Sequence, residues 1–521
     1  MFSMKKFLLL FIAITVVIPI FAQYQNIMIS AANGPNEPSI SMDPKNPLHL
    51  VAGANTNKYF ISEDGGFTWS SGILTSPEFG VWGDPCIIVD TAGDFYFLHL
   101  SNPANGSWID RIVSQKFSFD TYEWNDGSFM GLDGDKAQDK AWAVVDSANN
   151  NIYVTWTQFD DYGTSDPNYF SNIMFSKSID AGETWSEALQ INEISGDCID
   201  DDNTTEGAVP AVGPNGEIFV AWSGPAGIVF DRSYDAGETW LDEDIFVSDQ
   251  PGGWALDIPG ISRCNGMPIT CCDISYTETR GTIYVNWSDQ RNGTDDTDVW
   301  LSKSIDNGNT WTDAVRVNDD APGKHQFFTW MTIDQTNGDI LIVFYDRRNH
   351  NDKGTDVYLA RSTDGGETFE NIQISQSPFY PSSSTFFGDY NNITAHNGQV
   401  RPVWIRAEGT SRSLWTAIID LTVGVAESQD GSPLSLAQNY PNPFRESTFI
   451  SFKILKDENV SLVVYDVYGR KVTDLINNQH HEIGKYEINF TPSDYNLKSG
   501  VYYFVLSTTN SLQKKKMLLV D

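Results

Sequence analysis

One eight-residue pattern recurs along this chain and constrains its fold more than any other feature. It reads S-x-D-x-G-x-T-W at residues 62–69, 178–185, 233–240 and 304–311, and again at 362–369 with Phe369 in the last place. Repetition at a spacing of tens of residues marks successive copies of one supersecondary unit. The repeated acids are Asp64, Asp180, Asp235, Asp306 and Asp364, and the first interval is about twice the others. That gap predicts a missing copy near Tyr122. Ser118-Phe119-Asp120-Thr121-Tyr122-Glu123-Trp124 stands there, one residue short and without its Gly, and reads as a decayed sixth copy.

Asp and Ser or Thr side chains bond back to nearby backbone N–H groups and hold a turn, Gly takes the positive φ the turn needs, and Trp packs its apolar face alongside. The residues before each copy alternate as strands do, as in Ile173-Met174-Phe175-Ser176-Lys177. Each copy is therefore read as a β-hairpin corner, with its Asp structural. A second repeat lies between the corners. An acid often opens a short apolar strand, as at Glu37-Pro38, Asp84-Pro85, Asp139-Lys140, Glu206-Gly207 and Asp389-Tyr390; Cys271-Cys272-Asp273 and Phe328-Thr329 stand at the corresponding places. Second strands follow at 152–156, 218–222, 283–287, 340–345 and 400–404. That makes seven units. The last has no corner motif and lacks an outer strand, which residues 26–30 could supply, closing the ring from both ends.

The corner motif resembles the Asp-box, or bacterial neuraminidase repeat, of the sialidase-like superfamily. The resemblance implies an all-β fold, a β-propeller, with the boxes on the face away from the active site; the seven units make it seven-bladed, with six, as in sialidases, the alternative. It also implies an exo-glycosidase of the sialidase type, in which three Arg grip the substrate carboxylate, a Tyr–Glu pair is the nucleophile and an Asp the acid/base. The family's first Arg lies in an F/Y-R-I-P motif. Here the corresponding stretch reads Asn36-Glu37-Pro38-Ser39-Ile40, and a Glu there would repel a carboxylate.

The ends of the chain differ from its middle. Lys5-Lys6, an apolar run over residues 7–21 and then Ala22 read as a signal peptide (1–22), and the run falls short of the roughly 20 residues needed to span a bilayer. A propeller is expected over 23–421 and a polar linker over 422–435. Residues 436–521 carry Asn439-Tyr440-Pro441-Asn442-Pro443-Phe444, Tyr465-Asp466-Val467-Tyr468-Gly469-Arg470 and Leu497-Lys498-Ser499-Gly500, and end in a Lys-rich strand with Lys514-Lys515-Lys516. This segment resembles the C-terminal sorting domain of the Bacteroidetes type IX secretion system, a small Ig-like β-sandwich. The resemblance implies export through the periplasm to the medium or cell surface, with the secretion machinery as partner and no transmembrane segment after signal cleavage.

Charge excludes one class of partner. With 33 Lys+Arg against 69 Asp+Glu, the net charge is −36, a surface that repels phosphate backbones, so no nucleic acid is expected. Five Cys in an exported chain permit disulfides, Cys264 with Cys271 or Cys272 being the most local pairing.

If the boxes join third to fourth strands, the acids that open first strands share the opposite face with the loops from second to third strands. Glu37, Asp84 and Asp389 then converge there, with Asp139 and Glu206 nearby. Clustered carboxylates raise one another's pKa values and could supply the acid and base of a glycosidase; alternatively each caps its own turn. Tyr390, or Tyr345, is the candidate nucleophile, and Trp82, His325 and Trp330 lie near the cleft. Two loops copy one another, at 289–298 and 346–356, each with Asp, then Arg two residues on, then T-D-V. Arg291 and Arg348, with Arg406 and Trp82, are candidate substrate-binding residues; for the two loop arginines an internal Asp–Arg salt bridge is the other reading. The Asn and Asp density of these loops also suits Ca²⁺, without EF-hand spacing, and no metal site or other cofactor is assigned. The expected function is a secreted propeller acting on glycans, with a non-catalytic carbohydrate- or protein-binding propeller as the alternative.

Overall fold

The computed structural model describes residues 24–421, 434–436, 439, 441–454, 456–466, 470–495, 497–508 and 512–520. The expected signal peptide and nearly all of the linker lie outside these residues. The chain divides into two compact units, Met1–Ile419 and Asp420–Asp521.

The first unit is a ring of antiparallel sheets. Ser39–Met42, Leu50–Ala54, Lys58–Ser62 and Ser70–Ile73 pair in that order, and five further meanders repeat the pattern. A seventh sheet takes Asn392–His396, Gln399–Gly409 and Ser411–Asp420, and its outer strand is Gln25–Ser30 from the start of the chain. Gln25 pairs with Ile418 and Met28 with Trp415. The first strands of successive sheets pack side by side, and the seventh packs against the first. Closure of this kind removes the exposed sheet edges that an open array would leave.

Burial explains the sequence of the second strands. Each is covered by the adjacent sheets on both faces, so period-2 alternation gives way to continuous apolar runs. Ile340, Leu341, Ile342, Val343, Phe344 and Tyr345 are all fully buried. The first strands line an axial cavity of about 310 Å³, to which Ile40, Ile87, Val144, Val209, Thr270, Met331 and Ile393 each contribute from a different sheet. Trp142, Trp330 and Tyr390 plug it at one end, Trp142 lying 4.4 Å from Trp330 and 4.9 Å from Tyr390 between ring centroids.

The repeated motif builds the corner between third and fourth strands. In the copy around Asp235, Ser233 Oγ donates to Asp235 Oδ1 at 2.8 Å and accepts from Gly237 N at 2.8 Å. Thr239 donates its N–H to Asp235 Oδ1 at 2.8 Å and its hydroxyl to Oδ2 at 2.6 Å. The other four copies repeat this network. The decayed copy still turns a hairpin, with Phe117 opposite Trp124, but Asp120 makes only a long bond from its own N–H to Ser118 Oγ at 3.3 Å.

Two sequence expectations change. The first strand of the fifth sheet is Ile269–Cys272, with Cys272 opposite Ile283 at its far end. Cys271-Cys272 therefore closes that strand, and the loop at Asn265 opens it. All five cysteines are free thiols. Neighbours on a strand face opposite ways: Cys271 lines the axial cavity, while Cys272 enters the core between sheets.

The second unit is a sandwich of two sheets. One holds Leu434–Leu436, Thr448–Ile454 and Gly484–Phe490; the other holds Lys471–His481, Glu458–Asp466, Gly500–Ser507 and the Lys-rich Leu512–Leu519. Ile450 and Phe452 meet Leu462, Val464, Phe504 and Met517 in its core, each inward side chain alternating with an outward one.

Candidate functional site

The strand order puts the corners at one end of the sheets and the openings of the first strands at the other. Ser62 pairs with Leu50, and Leu50 with Met42, so the first corner lies beside Met42 and Glu37 lies beyond the opposite end of that strand.

A bulge fixes what points inward at this end. The pairing of first with second strands skips between Gly83 and Cys86, between Asp139 and Trp142, between Glu206 and Val209, and between Phe327 and Trp330. The first residue inside each skip has positive φ: Asp84 at 52°, Lys140 at 47°, Gly207 at 81° and Phe328 at 49°. Glu37, at 51°, stands two residues before the first strand of its sheet in the same conformation. Bulges re-aim side chains, and left-handed non-Gly residues cost about 1 kcal/mol or more each, so they cluster where surrounding structure demands them. The equivalent positions are thus Glu37, Asp84, Lys140, Gly207 and Phe328, each two residues before regular pairing begins. Asp139, Glu206 and Asp389 each lie one residue earlier in their sheets.

Lys140 is the centre of the resulting cluster. Its buried ammonium lies 2.8 Å from Asp389 Oδ2, 3.8 Å from Glu206 Oε1 and 3.9 Å from Asp84 Oδ2. Arg263 approaches Asp389 with two nitrogens, Nε at 3.0 Å and Nη2, and Asp200 Oδ2 with Nη1 at 2.9 Å. Tyr162 donates to that same Asp200 oxygen at 2.7 Å. Asn55 donates to the buried Glu37 carboxylate and accepts from Asp84 N at 2.7 Å. Asn265 donates to Asp389 O at 2.8 Å.

The environments drive these carboxyl groups apart. Burial pushes Asp84 up to about 7, with Lys140 opposing and Asp139 and Asp389 adding to the rise. Burial also holds Glu37 and Glu206 well above the usual carboxylate range, Glu37 being raised further by Asp84 and Asp389, Glu206 by Asp200. Burial would raise Asp389 too, but Lys140 and Arg263 outweigh it and hold it down at about 2. Asp84 is the member that solvent reaches, its side chain 15% exposed against 1% for Asp389.

Glu37, Asp84, Asp389 and Tyr390 therefore meet around two cations that sequence reading did not select. Lys140 was legible in principle, standing at the same offset before its strand as Asp84; Arg263 comes from a loop with no repeat to flag it. Tyr390 belongs to the aromatic plug. Its hydroxyl is buried without a hydrogen-bond partner among the described residues, and burial raises its pKa well above normal, the reverse of what a nucleophile needs. Tyr345 is also structural: its hydroxyl donates to Ile405 O at 3.1 Å and accepts from Ile405 N at 2.9 Å. His325 bonds Thr297 at 3.0 Å.

The expected arginine trio does not join the cluster. Arg291 pairs with Asp289 at 2.6 Å and stacks over Trp300 at 4.5 Å. Arg348 pairs with Asp346 at 2.8 Å, reaches Asp319, and stacks over Tyr358 at 4.2 Å. Arg406 donates to Ser377 O at 2.8 Å and lies 5.3 Å over Trp415. The repeated D-x-R is thus an internal pair braced on an aromatic ring. The acids that close these loops also have partners within the protein, Asp298 with Asn318 at 2.6 Å and Asp356 with His350 at 2.9 Å. Among the described residues no group of three His, Cys, Asp or Glu is placed to hold a metal ion.

Trp82 stands at the rim, two residues before Asp84. It meets Trp108 edge to face at 5.8 Å, and Trp108 meets Tyr162 in the same manner at 5.7 Å.

Residues 438–520 match the family of secretion system C-terminal sorting domains. The chain thus carries a sorting domain of the Bacteroidetes type IX system and is a secreted or cell-surface protein. Among the described residues no helix is long and apolar enough to cross a membrane. The chain is similar to the xyloglucanase Xgh74A of Acetivibrio thermocellus, 25% identical over 341 residues that cover 64% of this chain and 32% of that protein; it spans about a third of the relative's length. Among solved structures it is similar to the Hadza microbial sialidase Hz136, with a TM-score of 0.43 and 14% identity over 73% of this chain and 76% of that one. It is also similar to a PL25 ulvan lyase bound to -[GlcA(1-4)Rha3S]-, with a TM-score of 0.46 and 12% identity over 76% of this chain and 96% of that one.

Proposed function

We propose that this protein is a secreted glycan-acting propeller, a glycoside hydrolase in which Asp84 gives its proton to the leaving glycosidic oxygen. One observation carries the reading: a solvent-reached carboxyl held at about 7 shares one ammonium with a carboxylate held at about 2. Two carboxyl groups with pKa values driven apart are the pattern of acid–base division. A carboxyl raised toward neutrality is matched to the task of a general acid, whose best pKa lies near the operating pH. Water adds to the anomeric carbon as the glycosidic bond breaks, and the proton it sheds replaces the one that Asp84 gave to the leaving oxygen. Asp389, ionised and paired with Lys140 and Arg263, fixes that ammonium beside Asp84. The sorting domain and the xyloglucanase relative support an extracellular glycan as substrate.

A second reading, a non-catalytic glycan-binding propeller, is favoured by the capping of Asp389 by both Lys140 and Arg263, which restrains it as a base. Hydrolysis of neutral and sialylated fluorogenic glycosides, and release of reducing ends from polysaccharides, decides between them. The wild type is expected to turn over at least one substrate class, and Asp84→Asn to lose 10²- to 10⁴-fold in kcat, roughly the contribution of a general acid, while keeping glycan binding. Binding without turnover by the wild type would reject the hydrolase and leave the binding propeller.

A further inference from the structure

The ionic cluster does not account for the aromatic side chains beside it. Trp82 is 44% exposed and Trp108 43%. Trp156, Trp222, Trp287 and Trp404, by contrast, are fully buried between sheets. The two exposed rings stand nearly perpendicular, at 89°, and Tyr162 continues the run at 83° to Trp108. Through its hydroxyl Tyr162 reaches Asp200, which takes Arg263, which takes Asp389. On the other side of Arg263 the ring of Phe386, 38% exposed, lies 5.4 Å from the guanidinium. A run of aromatic rings, Trp82 and Trp108 exposed and Tyr162 half-buried behind them, thus leads from Asp84 outward over loops of the second and third sheets. Large apolar faces left in water beside a polar cleft mark a ligand surface.

Charge decides which ligand. Lys140 is surrounded by Asp389, Glu206 and Asp84, and Arg263 is shared between Asp389 and Asp200. Neither cation has charge to spare for an incoming carboxylate or sulfate. The arginines that could have gripped one, Arg291, Arg348 and Arg406, have partners elsewhere. The whole chain carries −36, which adds long-range repulsion. What remains toward solvent is aromatic faces, which suit the C–H face of a pyranose, and polar groups that suit hydroxyls.

We infer that the site takes an uncharged glycan, whose sugar rings lie on Trp82 and Trp108 with one end at Asp84, and that it discriminates against sialosides, uronates and sulfated sugars. This rests on the glycan reading above and gives it a substrate class.

The full chain, probed on an array of neutral and acidic oligosaccharides and then by calorimetry with the neutral oligosaccharide of highest signal, tests the inference. Neutral glycans are expected to dominate the bound set. Trp108→Ala is expected to weaken binding about tenfold and Trp108→Phe by much less, because a ring face is kept; Trp108 is exposed, and an unchanged Tm confirms that the fold is intact. Trp82→Ala should behave like Trp108→Ala. Acidic glycans dominating the bound set, or neutral binding indifferent to both Ala substitutions, would overturn the inference while leaving a glycan-acting protein in place. Binding of no glycan at all overturns both. Neutral binding that depends on Trp108, without turnover by the wild type, supports the inference and rejects the hydrolase alone.

Discussion

At the scale of single residues, the site is made by a one-residue bulge and by the burial it imposes. Asp84 and Lys140 occupy equivalent places in adjacent sheets with opposite charges, and the ammonium of one organises the carboxylates of the others. A consequence is readable in stability. Asp84 sits at about 7 in the folded chain against an ordinary 3.8. The folded state then holds the proton more tightly than the unfolded chain, so Asp84 costs stability as pH rises from about 4 through 7. Asp389, held at about 2, does the opposite: its contribution is present above about 4 and is lost as pH falls toward 2. Asp84→Asn, which keeps the size and removes the titration, is expected to raise Tm at pH 8, with the gain shrinking as pH falls to 4. Melting curves of both proteins across that range check it, and a lowered Tm at pH 8 would contradict it.

At the scale of elements, the repeated S-x-D-x-G-x-T-W turn does two jobs. Within a sheet it replaces backbone pairing at the corner with bonds from Ser, Asp and Thr. Between sheets it docks on the sheet before it. Trp240 lies 5.0 Å from Phe175, and Trp311 lies 5.1 Å from Phe230. Lys177 Nζ donates to Ala236 O at 2.8 Å, and Lys303 Nζ to Gly365 O at 2.8 Å. The Gly of the motif is required on two counts. Gly237 has φ of 81°, and a Cβ there would lie 2.2 Å from Phe175 Cε1. Nothing in this network faces the ionic cluster. Asp235→Ala is therefore expected to cost about 0.5–2 kcal/mol of stability, as the loss of a capping side chain does, with glycan affinity of the folded protein unchanged. Denaturant titration beside calorimetry measures both; weakened affinity at unaltered stability would show that the box belongs to the site.

At the scale of the whole molecule, two cores divide the labour. The ring closes on itself with the strand Gln25–Ser30, and the second unit has its own core around Leu462 and Phe504. Separate cores predict separable functions. Deleting residues 422–521 should leave a ring that melts near the Tm of its transition in the full chain and keeps its ligand, but that is retained inside the cell. Fractionation of the producing bacterium checks this, and normal appearance of the truncated chain in the medium or at the surface would refute the sorting role.

Much of this was written locally. The boxes, the second strands and the closing strand near Asn26 were legible because turn chemistry and apolar runs depend on neighbours a few residues apart. The sorting segment was legible from its own motifs. Glu37, Asp84 and Asp389 were legible as a group because a repeat carries a position from sheet to sheet. The Asp–Arg pairs of Arg291 and Arg348 were legible as one reading of D-x-R, but the choice between that and the cluster was not, because only packing shows that a carboxylate two residues away and an aromatic ring across the hairpin win. Lys140 stood at the offset of Asp84 before its strand, but the acid beside it, Asp139, drew the reading to the neighbouring residue. Arg263, Trp108 and Tyr162 come from loops without repeats, and ring closure alone brings them to Asp84. The amino-acid sequence by itself determined the repeating sheets and the address at the C-terminus, since each is written in residues that are near neighbours. The tertiary structure alone decided which charges meet at the axis, because that depends on contacts between residues as far apart as Lys140 and Asp389.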